Sequence, residues 1–248
     1  MTVLFADLTT EDLAAARAGS SPTCVLVPVG SVEPHGPHLP LGTDTLISER
    51  ASLRAVDVLR REGVLTYVAP SVPYGVTDYA RGFAGALSIP GPVLTAFLEA
   101  LARSILGEGI SHVCFVNNHL EPAHDAAVRA AIGALRPGSA SVACPLTRRW
   151  ARTLSEEFKR GDCHAGRYET SLVLAADASR VRPSALTLPN VPISLADGIR
   201  EGKASFYEMG IARAYTGAPQ EATAEEGDAL YEKLAAMIVG EVKDALSR

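Results

Sequence analysis

Glu33, His35, His38 and Asp44 fall within a single Gly- and Pro-rich segment, residues 31–45. Carboxylates and imidazoles together are the donor set of Zn²⁺, Mn²⁺ or Fe²⁺ sites with hydrolytic chemistry. Glu33 and His35 are two apart, so an extended backbone points both to the same side. Pro34, Pro37 and Pro40 stiffen the segment, and rigid presentation is what coordination requires. Just before it runs Val25-Leu26-Val27-Pro28-Val29-Gly30, which reads as a buried strand entering a loop. In an open α/β sheet, ligands bind at such carboxyl ends of strands. Any one of these residues alone would more often be a solvated loop side chain. Four on one stiff loop read as half of a metal site.

The pattern recurs. His112-Val113-Cys114-Phe115-Val116 reads as a second buried strand, and Asn117-Asn118-His119-Leu120-Glu121 follows it at once. If the two strands are neighbours, their loops converge, and Glu33, His35, Asp44, His119 and Glu121 can surround two divalent cations. Asp44, with two oxygens, is the natural bridge. A binuclear site suits hydrolysis because it binds hydroxide at neutral pH and polarises a carbonyl oxygen simultaneously. A third cluster, Asp162 to Ser171, contains His164, placed to shuttle a proton to a leaving nitrogen. His38 reads as a residue that holds the loop by hydrogen bonding, His112 as structural or exposed, and His124 as supporting or surface. Cys163 beside His164 is set aside as a nucleophile, since carboxylate-rich surroundings raise a thiol pKa.

The elements that must position these residues are legible as alternating patterns. Helices are expected over 46–61, from Pro92 through Ile105, over 126–135 and from about Thr223 to Leu246. Thr223 and Glu226 have capping-box spacing. Further strands are expected at 64–69 and 139–145, with a loop over 70–89. Residues 180–220 lack clear periodicity and read as surface loops or a lid. The alternation predicts an α/β fold, a three-layer α/β/α arrangement with a mostly parallel central sheet. No composition break divides the 248 residues, so one domain spanning 1–248 is expected.

Composition excludes several classes. With 47% hydrophobic and 21% charged residues the chain can bury a sizeable core. A net charge of −5 argues against nucleic acid as a partner. No 18-residue apolar span and no signal-peptide pattern is found, so no membrane partner is expected. Cys24, Cys114, Cys144 and Cys163 are scattered, without CxxC spacing, and the first three sit in apolar runs as reduced thiols. A cytoplasmic location follows. Arg148, Arg149, Arg160 and Arg167 would suit an acidic substrate if they faced the site.

Residues 27–44, Asn117 to Glu121 and His164-Ala-Gly-Arg-Tyr-Glu-Thr-Ser171 together resemble the creatininase family of metal-dependent amidohydrolases. Val72-Pro73-Tyr74-Gly75 and the stretch from Gly217 to Gly227 look like further family blocks. The resemblance implies one layered α/β domain, two divalent metal ions per chain, hydrolysis of C–N bonds and a homo-oligomer, often a hexamer. By it, Glu33, Asp44 and His119 would hold one metal, and His35, Asp44 and Glu121 the other. His164 would be the acid/base, and Glu169 a catalytic-site carboxylate that is either ligand or support. Two departures stand out. Asn118 replaces a glycine, and the family's two substrate-facing tryptophans are missing, with Trp150 the single one here, which places creatinine in doubt. The leading expectation is cleavage of an amide bond in a small cyclic amide or formamide-like substrate. The alternatives are a family peptidase trimming a small ribosomal peptide, or a metal-binding scaffold without turnover.

Overall fold

Four short parallel strands form the sheet of this computed structural model, which describes residues 2–247. They are β1 (Thr23–Val29), β2 (Leu65–Val68), β3 (His112–Asn117) and β4 (Ala140–Ala143), in the order β2-β1-β3-β4. The helices are α1 (Thr10–Ala18), α2 (Thr43–Arg61), α3 (Gly91–Gly107), α4 (Pro122–Ile132), α5 (Arg148–Ala151), α6 (Glu156–Arg160), α7 (Arg167–Asp177), α8 (Leu195–Arg200) and α9 (Ala224–Leu246). Strand alternation divides the core cleanly, as a two-residue period requires. Cys24, Leu26, Cys114 and Val116 face α2, α7 and α9, while Val25, Val27, Val113 and Phe115 face α3 and α4. The expected single α/β domain with a layered sheet is what the chain forms, and every strand pairing is parallel. Among the described residues no helix is long and apolar enough to cross a membrane.

The strand order sets the site. The chain leaves β1 for β2 on one side, then crosses back to lay β3 on the other. Outward connections therefore diverge between β1 and β3, and an open α/β sheet has its ligand crevice at such a switch point. Val29 pairs with Asn117 in register, so the loops after both strands begin side by side.

Two boundaries differ from expectation in ways that matter. α2 starts at Thr43 instead of residue 46, placing Asp44 in its first turn and not on the loop. The polar triplet Thr43-Asp44-Thr45 reads as loop, yet Thr43 Oγ1 donates to the Pro40 carbonyl and tightens the helix start. A carboxylate there also gains from the unpaired N–H groups of the first turn. α4 starts at Pro122, which fixes φ at the first helical position, and so carries His124 in its first turn. Thr223 caps α9 as expected, accepting from Glu226 N–H at 3.1 Å. The Glu226 carboxylate turns instead to Arg167 and Ser171 on α7, so the cap is half a box and half a helix-to-helix tie.

α7 and α9 lie in close contact at Gly227. A Cβ there would fall 1.9 Å from the Ser171 carbonyl oxygen, a backbone atom that cannot swing away. Gly227→Ala should therefore destabilise the protein by about 3 kcal/mol or more, at the upper end of overpacking costs. Gly107→Ala, whose Cβ meets nothing within 4 Å, should shift stability by less than about 1 kcal/mol. Urea unfolding of both variants checks this, and equal effects would refute the close contact.

Candidate active site

The seven residues singled out from the sequence meet at the carboxyl ends of β1 and β3. Glu33 and His35 come from the loop after β1, and Asp44 from the first turn of α2. His119 and Glu121 come from the loop after β3, His164 from the turn before α7, and Glu169 from the first turn of α7. None is more than 7% exposed, so all seven are taken out of bulk water. Their donor atoms form three overlapping groups, each within 4.8 Å: Glu33/His119/Glu121, His35/Asp44/Glu169 and Glu33/His35/His164. Asp44 faces two histidines with different oxygens, Oδ1 at 3.1 Å from His35 Nε2 and Oδ2 at 3.1 Å from His119 Nδ1. That is the disposition of a bridging carboxylate. The remaining donor residues group differently from the ligand sets the resemblance implies. Glu121 lies with Glu33 and His119, because Asp78 N–H and Tyr79 N–H draw its oxygens at 3.0 and 3.3 Å. Glu169, with Oε2 3.6 Å from His35 Nε2, takes the place beside His35 and Asp44.

Each histidine is locked in one tautomer by a backbone carbonyl. His35 Nδ1–H donates to Glu33 O at 3.0 Å, His119 Nε2–H to Val76 O at 2.7 Å, and His164 Nε2–H to Pro34 O at 3.1 Å. The opposite nitrogen of each ring is thereby the one aimed at the carboxylates, and on His35 and His119 it carries a proton that a cation would displace. This is the outer arrangement that metal-binding imidazoles use. Ser31 Oγ donates to Asp44 Oδ2 at 2.8 Å, and Ala165 N–H to Glu169 Oε2 at 2.6 Å. Ala165 adopts φ +49, a left-handed conformation uncommon outside glycine. That turn aims its N–H at the carboxylate.

Four buried carboxylates converge here, and among the described residues no lysine or arginine contacts them. Burial pushes Glu169 up to about 8, with Asp44 and Glu33 adding to the shift against the pull of His35. Burial likewise pushes Glu121 up to about 7. Asp44 is held well below its usual value, since His35 and His119 outweigh the cost of burial. Against that same cost, Asp44, Glu169 and Glu33 raise His35 to about 10. Burial, then the nearby His35, lowers His164 to about 4. His119 is likewise held well above its usual value by Glu33 and Asp44 against the cost of burial, so the positive charge among these carboxylates is carried by protons on His35 and His119. A cluster of anionic oxygens and imidazoles charged in this way fits divalent cations, which would replace those protons as its positive charge.

The other candidates separate from this cluster. His38 Nε2 pairs with Thr170 Oγ1 at 2.9 Å and ties the first loop to α7, as expected. His112 is structural, spanning Gly138 O and Ser141 Oγ. His124 packs edge-on against His119 and accepts from Val76 N–H at 3.3 Å, a supporting position. The Cys163 thiol is pushed well up by burial and by Glu169, as its surroundings implied. Asn118 needs no glycine-like freedom. Its φ is not positive, and its backbone and side-chain nitrogens both donate to Ser48 Oγ.

Above this acidic floor stand Tyr79, Leu120, Leu195, Ile199 and Phe206, so residues 195–206 wall the pocket. Phe206 lies against His164 with ring centroids 4.7 Å apart. These two aromatic walls have no sequence signal, and the absence of tryptophan does not leave the pocket without them. The arginines do not serve it. Arg149 pairs with Asp244, Arg160 with Asp162, and Arg167 with Glu221 and Glu226; neither these three nor Arg148 lines the pocket.

A parallel α/β sheet whose switch-point crevice holds carboxylates and tautomer-locked histidines defines a metal-dependent hydrolase. Residues 6–242 match the family model described as creatinine amidohydrolase, and the chain belongs to the creatininase family, whose enzymes hydrolyse C–N bonds. It is 34% identical over 223 residues to the mycofactocin precursor peptide peptidase of Mycobacterium tuberculosis (strain CDC 1551 / Oshkosh), covering 86% of this chain and 81% of the relative. It is 28% identical over 111 residues to the creatinine amidohydrolase of Pseudomonas putida, 43% of this chain and 41% of that protein. A solved structure described as creatininase Mn superposes with a TM-score of 0.73 at 20% identity, with all of both chains covered.

These shifts imply a pH dependence for the metal-free protein. Glu121, Glu169 and His35 have folded pKa values above their unfolded ones, so their contributions to stability are lost as pH rises through about 7, 8 and 10. The lowered imidazoles His38, His112, His124 and His164 act oppositely, chiefly below the ordinary imidazole value of about 6.5. In chelator, the melting temperature should fall between pH 6.5 and 8, and added Mn²⁺ or Zn²⁺ should restore it more at pH 8 than at pH 6.5. A chelated protein whose melting temperature rises over that window would show the cluster to be wrongly assembled.

Proposed function

We propose that this protein is a dinuclear metallopeptidase of the creatininase family that cleaves an amide bond in a small ribosomally made peptide. The observation that carries it is the set of interlocked buried ligand groups beneath a pocket that also presents a free imidazole nitrogen. Glu33, His119 and Glu121 would hold one cation and His35, Asp44 and Glu169 the other, with Asp44 facing both. Zn²⁺, Mn²⁺ and Fe²⁺ all suit this mixed oxygen and nitrogen donor set. When bound, two such cations supply stabilisation of charge on a scissile carbonyl and activation of water at neutral pH.

The chain's own residues do the rest. His164 is neutral at pH 7, and the Pro34 carbonyl holds its Nε2–H, so the base is Nδ1. That nitrogen takes a proton from the attacking water, whose oxygen bonds to the carbonyl carbon, and delivers it to the amine as the C–N bond breaks. Glu33 Oε1, 3.8 Å away, stabilises the transient imidazolium. Phe206 shields the imidazole from solvent, and the apolar walls receive the groups flanking the bond. The peptide reading is favoured over a small cyclic amide by the extent of the relatives. Sequence similarity to the peptide peptidase runs through most of the chain, whereas sequence similarity to the creatinine enzyme covers less than half.

A homo-oligomer in the cytoplasm belongs to the same reading. Val93 and Phe97 stand exposed one turn apart on α3, apolar surface that self-association would cover. Four free, buried cysteines suit a reducing compartment.

With the metal-loaded protein, mass spectrometry should detect cleavage of the mycofactocin precursor peptide, with creatinine turned over poorly under the same conditions. Chelator should abolish cleavage, and Mn²⁺ or Zn²⁺ should restore it. His164→Ala should lower kcat by ~10²–10⁴-fold, the range for losing a general acid/base, while bound metal stays at the wild-type level. Loss of metal in that variant would make His164 a ligand instead.

A further inference from the structure

Between β2 and α3 the chain passes through residues 75–79 without regular structure, and this stretch meets one ligand group in strict order. The Val76 carbonyl accepts from His119 Nε2–H at 2.7 Å. The Thr77 hydroxyl donates to Glu33 Oε2. Asp78 N–H and Tyr79 N–H donate to the two oxygens of Glu121 at 3.0 and 3.3 Å. Glu33, His119 and Glu121 are thus held, between them, by four consecutive residues. Three of these residues act through backbone atoms, which substitution leaves in place. Thr77 acts through its side chain.

The stretch is itself well anchored. Gly75 O accepts from Ile89 N–H at 2.9 Å, Val76 N–H reaches His124 Nδ1 at 3.3 Å, and Thr77 N–H reaches Ser88 Oγ at 3.0 Å. Gly75 is required for this approach, since a Cβ there would sit 2.2 Å from His124 Nδ1. Thr77 is fully buried, so its hydroxyl has no water to turn to. A carboxylate offers two oxygens, and the hydroxyl occupies Oε2. The other oxygen, Oε1, then lies 3.3 Å from His119 Nδ1, 3.7 Å from His35 Nε2 and 3.8 Å from His164 Nδ1.

We infer that Thr77 is a positioning residue that commits Glu33 to a single ligating oxygen, Oε1, toward a cation shared with His119 and Glu121. The inference rests on the metal reading of the site given above. Without the hydroxyl, Glu33 is free to rotate or to offer both oxygens, and the ligand geometry loosens. Outer partners of this kind are worth about 10–100-fold in metal affinity.

The test uses full-length wild type, Thr77→Val and Thr77→Ser, each stripped of metal and titrated with Mn²⁺ against a competing chelator. The visible absorption of the Co²⁺-loaded proteins is recorded alongside. Thr77→Val keeps the shape and removes the hydroxyl. It should weaken one cation by about 10–100-fold and change the Co²⁺ band intensity, while its metal-free melting curve stays cooperative. Thr77→Ser should restore both readouts. Should the valine variant fail to fold, Thr77→Ala takes its place with the same expected loss. Wild-type affinity and an unchanged Co²⁺ spectrum in the folded hydroxyl-free variant would overturn the inference alone. A wild type that binds no divalent cation would overturn it together with the metal reading.

Discussion

Four carboxylates buried within reach of one another are the constraint around which this molecule is arranged. Removing an ionised carboxylate from water costs several kcal/mol even after relaxation, and neighbours of like charge add to it. The protein answers with hydrogen-bond donors, three imidazoles and two carboxyl groups whose pKa values are driven up toward neutrality. Protons, however, satisfy the cluster only in part. What it lacks is compact positive charge, and its donor atoms are already aimed inward.

The fold supplies that convergence. β1 and β3 are neighbours only because the chain crosses over β1 after completing β2, and this crossing opens the crevice between their loops. The N-terminus of α2 offers Asp44, and the N-terminus of α7 offers Glu169. α7 is steadied from outside the site as well. Glu157 on α6 accepts from the N–H groups of Arg167, Tyr168 and Ala218 at 3.0, 2.7 and 2.8 Å, binding the start of α7 to the segment that precedes α9. A carboxylate with three backbone donors is a strong clamp, even though burial raises its pKa. Helix packing at Gly227 and this clamp together fix where Glu169 can stand.

Much of this was readable in the residues, because the information is local. Apolar runs bounded by glycine and proline marked β1 and β3, and ligand types two residues apart marked the loops behind them. Thr223 marked the start of α9. What escaped reading depends on contacts between distant segments. Nothing in Val76-Thr77-Asp78-Tyr79 distinguishes it from an ordinary loop, since three of its four contacts use backbone atoms common to every residue. Tyr79 and Phe206 are far apart in sequence and become pocket walls only once residues 195–206 fold over the crevice. Glu169 could not be told from Glu121 as the partner of His35, because that choice turns on which backbone N–H groups are nearby. Arg160 and Arg167 mislead for the opposite reason: they are close to His164 in sequence, yet their side chains are engaged in salt bridges with Asp162, Glu221 and Glu226 and do not line the pocket.

The carbonyls that hold the three histidines carry a consequence for how this enzyme can change. A support built from main-chain atoms is indifferent to the side chain that bears it, so Val76 and Pro34 can drift in identity while their carbonyls stay put, provided the backbone path is kept. The floor of the pocket is in that sense buffered against mutation. The walls have no such protection, because Leu120, Leu195, Ile199 and Phe206 act through the bulk of their side chains. Variation in this chain should therefore accumulate in what it accepts sooner than in what it does, leaving one hydrolytic chemistry open to many substrates.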